Sequence, residues 1–176
     1  LANLLAPVSA GPLSRTISQQ EYSRFFERDG VGLVSATEYF SHGEWTQSGA
    51  VFGSDGRLGY AVEANHRFDP GTRGNHDLSL FQQSVQLKLQ ATSADTLYFQ
   101  SALLDTQSGD RAQYYNPASA APALRVGERQ TPLLLAGWHH AWGPGAHSLL
   151  LLGRLVDELH LDNAAQPVLL LGRDGA

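Results

Sequence analysis

The chain has 176 residues, neither cysteine nor methionine, and a formal net charge of −5. Without cysteine it can build no disulfide and no thiolate metal site, and its 12 lysines and arginines form no basic run that could track phosphates, which sets nucleic acid aside as a partner. The longest aliphatic run, LLLL at 149–152, is far shorter than the roughly 18 apolar residues a membrane-spanning helix needs.

Residues 1–28 mix Pro, Gly, Ser and small apolar residues without a sustained period, and are expected to form a lead-in with a turn or two of helix near ISQQEYSRFFERDG. From residue 29 to residue 176 the pattern changes to stretches of about ten residues rich in β-branched and aromatic side chains, separated by turn clusters at SDGR, DPGTRGNH, SADT, TQSGD and GPGA. This predicts an all-β body, an antiparallel up-and-down meander of about seven strands. The missing methionine, and an end at LLLGRDGA just after an apolar run, suggest a mature or internal piece that is incomplete at its C-terminal side.

Opposite residues of an antiparallel pair share a face, so each hairpin can be tested for sorting. With Asp55-Gly56 as a two-residue loop, Val51 meets Tyr60 and Trp45 meets His66 on an apolar face, while Ser48 meets Glu63 and Glu44 meets Arg67 on a polar one. The Glu44–Arg67 pair is worth only roughly 0.2–1 kcal/mol, but it supports the register. A three-residue SAD loop aligns Ala91 with Leu97, Leu89 with Phe99 and Val85 with Leu103, leaving Lys88 and Gln90 on the polar side. A two-residue Pro144-Gly145 loop pairs Trp142 with His147, Trp138 with Leu151 and Leu134 with Leu155, and places Arg154 on the other face with Leu135 and Glu158. Pro-Gly favours a type II turn, which is not the usual hairpin type. Moving Arg154 to the Trp138 face would cost roughly 2–4 kcal/mol at mid-membrane if that face met lipid.

Tight turns at one edge, longer connections at the other and one apolar face per strand make the pattern of an outer-membrane barrel. Trp142 beside a tight turn and Trp45, Tyr39 and Phe68 near the longer connections suit interfacial girdles. A soluble antiparallel β domain that binds a ligand would also show alternation and turns.

Three phrases, FERDGVG, SGDRAQYYNP and HHAWGPGAHSLLLLGRL, stand in order between about residue 20 and about residue 160. With the strands around them they resemble the barrel portion of bacterial outer-membrane proteins that carry tetratricopeptide repeats ahead of the barrel. The resemblance implies an outer-membrane location, contact with outer-membrane lipid, further barrel strands and repeats in the parent chain, and a periplasmic protein partner recruited by those repeats. Seven strands are odd in number and could not close as a bacterial single-chain barrel, so the resemblance implies a partial one.

No nucleophile is marked: Gly-x-Ser-x-Gly is absent, and GPGAHS lacks the lysine of a phosphate loop. An outer-membrane barrel enzyme remains an alternative, but no catalytic residue and no cofactor are expected. His139, His140 and His147 are the best metal candidates, yet the expected register puts His139 on the face opposite the other two, so no metal site is expected. The functional candidates are lumen-lining Glu44, Glu63, Arg67, Lys88 and Arg154, the interfacial Trp45, Trp138 and Trp142, and Tyr114 and Tyr115 on an outer loop. The expected role is passage or export of a polar solute or polymer across the outer membrane.

Overall fold

The computed structural model describes residues 29–113 and 116–165. The expected lead-in, residues 1–28, lies outside them, as do Tyr114 and Tyr115. The described chain forms seven strands, β1 (Gly30–Tyr39), β2 (Trp45–Asp55), β3 (Leu58–Asp69), β4 (Leu78–Gln90), β5 (Asp95–Ser108), β6 (Leu124–Gly143) and β7 (Ala146–Asn163). Each pairs antiparallel with its sequence neighbour, so the sheet order is β1-β2-β3-β4-β5-β6-β7. This is the expected meander. It is an open sheet with β1 and β7 at its edges, not a closed barrel.

One end of the sheet carries the tight connections, Gly56-Arg57, residues 91–94 and Pro144-Gly145. The other end carries residues 40–44, 70–77 and 109–123, the last including a single 3-10 turn at Pro117–Ser119. Local chemistry sets each tight turn. Gly56 has φ +54°, the glycine-tolerant value that a type II′ turn requires at its first central residue. In the 91–94 turn the Thr92 hydroxyl accepts from the Ala94 N–H (3.1 Å) and the Asp95 N–H (2.9 Å), closing a side-chain-capped turn.

These turns shift the first two hairpins by two residues from the expected register. Val51 pairs with Val62 instead of Tyr60, and Leu89 with Leu97 instead of Phe99. The reason is that each turn is centred one residue away from the expected loop. A two-residue slip preserves faces, so the sorting of side chains is unchanged.

The third hairpin differs in parity. Pro144-Gly145 is the loop, and Gly145 at φ +77° fits the second central position of a type II turn, whose twist opposes that of the strands. The ladder slips by one residue between Ala141 and Gly143, and again between Thr131 and Leu134, where β6 carries Pro132, which has no N–H to give. From Ser148, the partner of His140, onward β7 is therefore flipped relative to the expectation. Trp138 pairs with Leu150, and Leu134 with Arg154.

Tracing pairs across the ladder separates the two faces. One row on the inner face runs Gly32, Phe52, Ala61, Gln86, Gln100, Leu135, Gly153. Phe52 is fully buried there with Ala50 and Ala61, and Val34 packs against this small cluster. Its ring lies over Gly32, where an added Cβ would come within 2.5 Å of it. The glycine of the edge strand thus makes room for the aromatic of its neighbour. The outer face has rows such as Val31, Gly53, Tyr60, Leu87, Phe99, Ala136, Leu152 and Leu33, Val51, Val62, Val85, Ser101, Leu134, Arg154.

Candidate functional site: a polar inner wall behind an apolar outer wall

The inner face carries a cavity of about 660 Å³ lined from β1 through β6, by Glu38, Ser48, Asn65, Gln82, Gln100 and Gln130 among others. Because residues of the first and sixth strands line one cavity, the sheet curls strongly toward this side. Amides and hydroxyls, which donate and accept hydrogen bonds without fixed charge, share the wall with the carboxylates Glu38 and Glu63 and with apolar Ala36, Ala64, Leu104 and Leu133.

Four of the five sequence-predicted lining residues lie on or beside this face. Arg67 and Glu44 form the expected ion pair, with Nη2 to Oε1 at 2.7 Å and Nε to Oε1 at 2.8 Å, although Thr46 is Arg67's direct partner across the ladder and Glu44 reaches it diagonally. Glu63 is buried between Ala50 and Ser84 and borders the cavity. Lys88 is buried between Gly59 and Tyr98. Arg154 is on the outer face, opposite Leu134, because the slip beside the Pro144-Gly145 turn inverts β7.

The three tryptophans occupy the outer face and the tight-turn edge. Trp45 meets His66 edge-on at 4.9 Å and lies 6.5 Å from Phe68, near the longer connections. Trp142 is 70% exposed, gives its Nε1–H to Ser148 Oγ (2.9 Å) and meets His140 edge-on at 4.3 Å. Trp138 donates to Asp95 Oδ1 at 3.0 Å.

Asp95 is a hub that the sequence reading did not single out. Besides Trp138, it holds His140 Nδ1 at 2.7 Å and accepts from the Thr92 hydroxyl at 2.6 Å, tying the β4–β5 turn to β6. The Thr92 hydroxyl, then His140 and Trp138, hold its carboxyl down at about 2. No local motif marks this, since the partners are brought together only by the pairing of β5 with β6.

A second hub locks the other end. Asp110, almost fully buried, accepts from the Ala121 N–H (2.7 Å) and the Ala112 N–H (3.1 Å), and its own N–H donates to Asn75 O at 2.7 Å. The Asn75 amide donates to Ala121 O (2.8 Å) and Leu124 O (2.9 Å), with Asn75 itself at φ +55°, a left-handed value that asparagine tolerates. An added Cβ at Gly109 would fall 2.2 Å from Asn75 O, so only glycine permits this approach. Arg111 completes the lock, donating to Asp69 Oδ2 (2.7 Å) and His76 O (2.6 Å). Burial opposes the charge of Asp69, but the Gly71 N–H and Arg111 outweigh it and lower its carboxyl pKa. The quoted phrase SGDRAQYYNP holds Asp110 and Arg111, so the signal was present as a phrase without its structural meaning.

The histidines are grouped differently from the expectation. His139 and His147 share a side, with Nε2 to Nδ1 at 3.1 Å, while His140 belongs to the Asp95 hub. Among the described residues no three His, Asp or Glu side chains converge as a metal-binding group. Among the same residues no helix is long and apolar enough to cross a membrane, which bears on helices alone.

Comparison with protein-family models, with curated proteins and with solved structures finds no match for this chain.

Proposed function

We propose that this chain is part of an outer-membrane β-barrel whose inner wall serves the passage or export of a polar solute or polymer. The observation that carries the reading is an inversion of the usual order of burial. The buried side chains include Lys88, Gln86, Glu63, Thr96 and Ser54, whereas Leu33, Val51, Val62, Leu87, Leu97 and Phe99 are exposed in a continuous band. A water-soluble sheet face does not spread large apolar side chains over neighbouring strands, but a lipid-facing one does.

The shape of that band adds support. Its last apolar residue toward the longer connections is Phe68 on β3, Phe81 on β4, Leu103 on β5 and Leu134 on β6; on β7 Leu152 is followed on the same face by Arg154 and then by a single further apolar residue, Val156. The residues paired with Phe68, Phe81 and Leu134 on the next strand are already polar, namely Ser79, Asp105 and Arg154. From β3 to β6 the boundary therefore steps back two residues per strand, whereas across β1, β2 and β3 it stays in the single row Tyr39, Trp45, Phe68. Two residues along a strand are about 6.6 Å and one strand across is about 4.8 Å, an inclination of about 54°. Barrel strands tilted by about 35–45° need a similar step to keep a lipid belt level. Arg154 then stands as the first charge beyond the belt, and its outward position carries no mid-membrane penalty.

In this reading the tight turns face the periplasm, the longer connections face outward, and further strands cover the free edges of β1 and β7, which lipid would not tolerate bare. Repeats elsewhere in the parent chain would recruit the periplasmic partner. The test is fractionation of cells expressing the parent protein, with high-salt and carbonate washes of the membranes, followed by single-channel conductance of the purified protein. Retention in the outer membrane with a reproducible conductance is expected. Release into the soluble fraction would overturn the reading.

A further inference from the structure

The slip beside the Pro144-Gly145 turn does more than turn Arg154 outward. It brings two imidazoles together that the turn alone would have kept on opposite faces. His139 projects from β6 and His147 from β7, their ring centroids are 5.1 Å apart, and Nε2 of the first lies 3.1 Å from Nδ1 of the second. His147 is exposed and His139 half-buried, so the space beside the pair is open to solvent.

We propose that His139 and His147 form a two-imidazole site for a divalent transition metal, of the class that prefers nitrogen ligands. The separation fits. Two nitrogens about 2.0–2.1 Å from one metal, subtending about 90–109°, are about 2.8–3.4 Å apart. The two atoms that meet are ring nitrogens, and a deprotonated ring nitrogen is a metal ligand, so binding releases the proton that either of them carries. The backbone also suits a metal. His139 pairs with Leu149 and Ala141 with His147, so the ligands sit on adjacent, hydrogen-bonded strands and little ordering is needed on binding. His140, engaged by Asp95 at 2.7 Å, is not a ligand. With two protein ligands the remaining positions belong to water, which makes this a site that captures and releases metal rather than a closed structural one. The inference does not depend on the membrane reading.

The test titrates Zn²⁺ alone into the purified full chain by calorimetry, and Cu²⁺ alone with detection by electron paramagnetic resonance. One equivalent with two-nitrogen hyperfine splitting is expected for the intact protein. His139→Ala and His147→Ala each lose that equivalent, whereas His140→Ala retains it. The spectrum of the unaltered chain guards against a variant that misfolds. Binding that survives in His139→Ala and His147→Ala, or disappears equally in His140→Ala, would overturn the proposal. A copper spectrum with a single nitrogen would do the same.

Discussion

The first five strands and the last hairpin obey the same alternation and arrive at different ends. From β1 to β5 the ladder runs without a slip, and every row keeps its inner or outer character. The β6–β7 hairpin slips twice within its length. Its two strands are also the longest, at 20 and 18 residues, so each irregularity is followed by enough chain to reverse a face. What differs is the turn. A glycine with positive φ at the first central position matches strand twist, whereas Pro-Gly with the positive φ second does not, and the ladder absorbs the mismatch. Parity in a sheet is therefore a property of turns and bulges as much as of the residues on its strands.

The largest expected effect probes the regular region. Phe52→Ala empties the fully buried aromatic position above Gly32 and is expected to cost about 3–5 kcal/mol, read as a lowered midpoint in a denaturant melt. A loss below 1 kcal/mol would mean that the β1–β3 cluster is not what holds that half together.

The next test addresses the irregular hairpin directly. Leu150 and Leu151 are neighbours, but Leu150 shares a row with the outer Trp138 and Leu151 with the inner Gly137. In the lipid-facing reading Leu150→Arg costs about 2–4 kcal/mol in vesicles, while Leu151→Arg costs much less. The register expected from the turn alone would reverse that order, so the pair of variants decides between them.

A smaller effect is expected at the joint between the two regions. Asp110→Ala removes the acceptor for the Ala121 and Ala112 N–H groups and is expected to cost about 1.5–3 kcal/mol, with faster amide exchange confined to residues 109–123 and 70–77. Exchange that stays slow would show that the two connections hold without the lock.

Smallest is the acid response of Asp95. Its carboxyl is held at about 2, below the ordinary carboxylate value of 3.8, so the stabilisation it gives is complete above that ordinary value and is lost as pH falls through about 2. The partly exposed position keeps the effect small. Melts between pH 5 and pH 2 should fall more steeply for the unaltered chain than for Asp95→Asn, and parallel curves would remove Asp95 from the account.

These comparisons also show how far the sequence carries. Period-two alternation and the Gly, Asp and Pro punctuation were enough for seven strands in order, and the Glu44–Arg67 pair was found at 2.7 Å even though the register moved by two. That error was harmless because a slip of two residues leaves every side chain on its own face. The slip of one beside Trp142 was not harmless. It misplaced Arg154 and split the histidines wrongly, since nothing in WGPGAHS states how a turn's twist will be absorbed. The Asp95 and Asp110 hubs were illegible for another reason, because their partners are 43 and 11 residues away and meet only once the strands have paired.

The length of the last hairpin has one more consequence. Beyond Leu152, β7 continues through Arg154 to Asn163, roughly 30 Å of strand, and β6 accompanies it from Leu124. This stretch turns Arg154, Glu158, His160 and Asp162 toward the side that lower down is apolar. β5 keeps pace with it almost to the end, its last residue Ser108 standing opposite Val126, so the hairpin clears its neighbour by only two residues. The same stretch turns the exposed Leu159 and Leu161 toward the inner side, so the last strand reverses there the polarity that the first five strands give to the two faces.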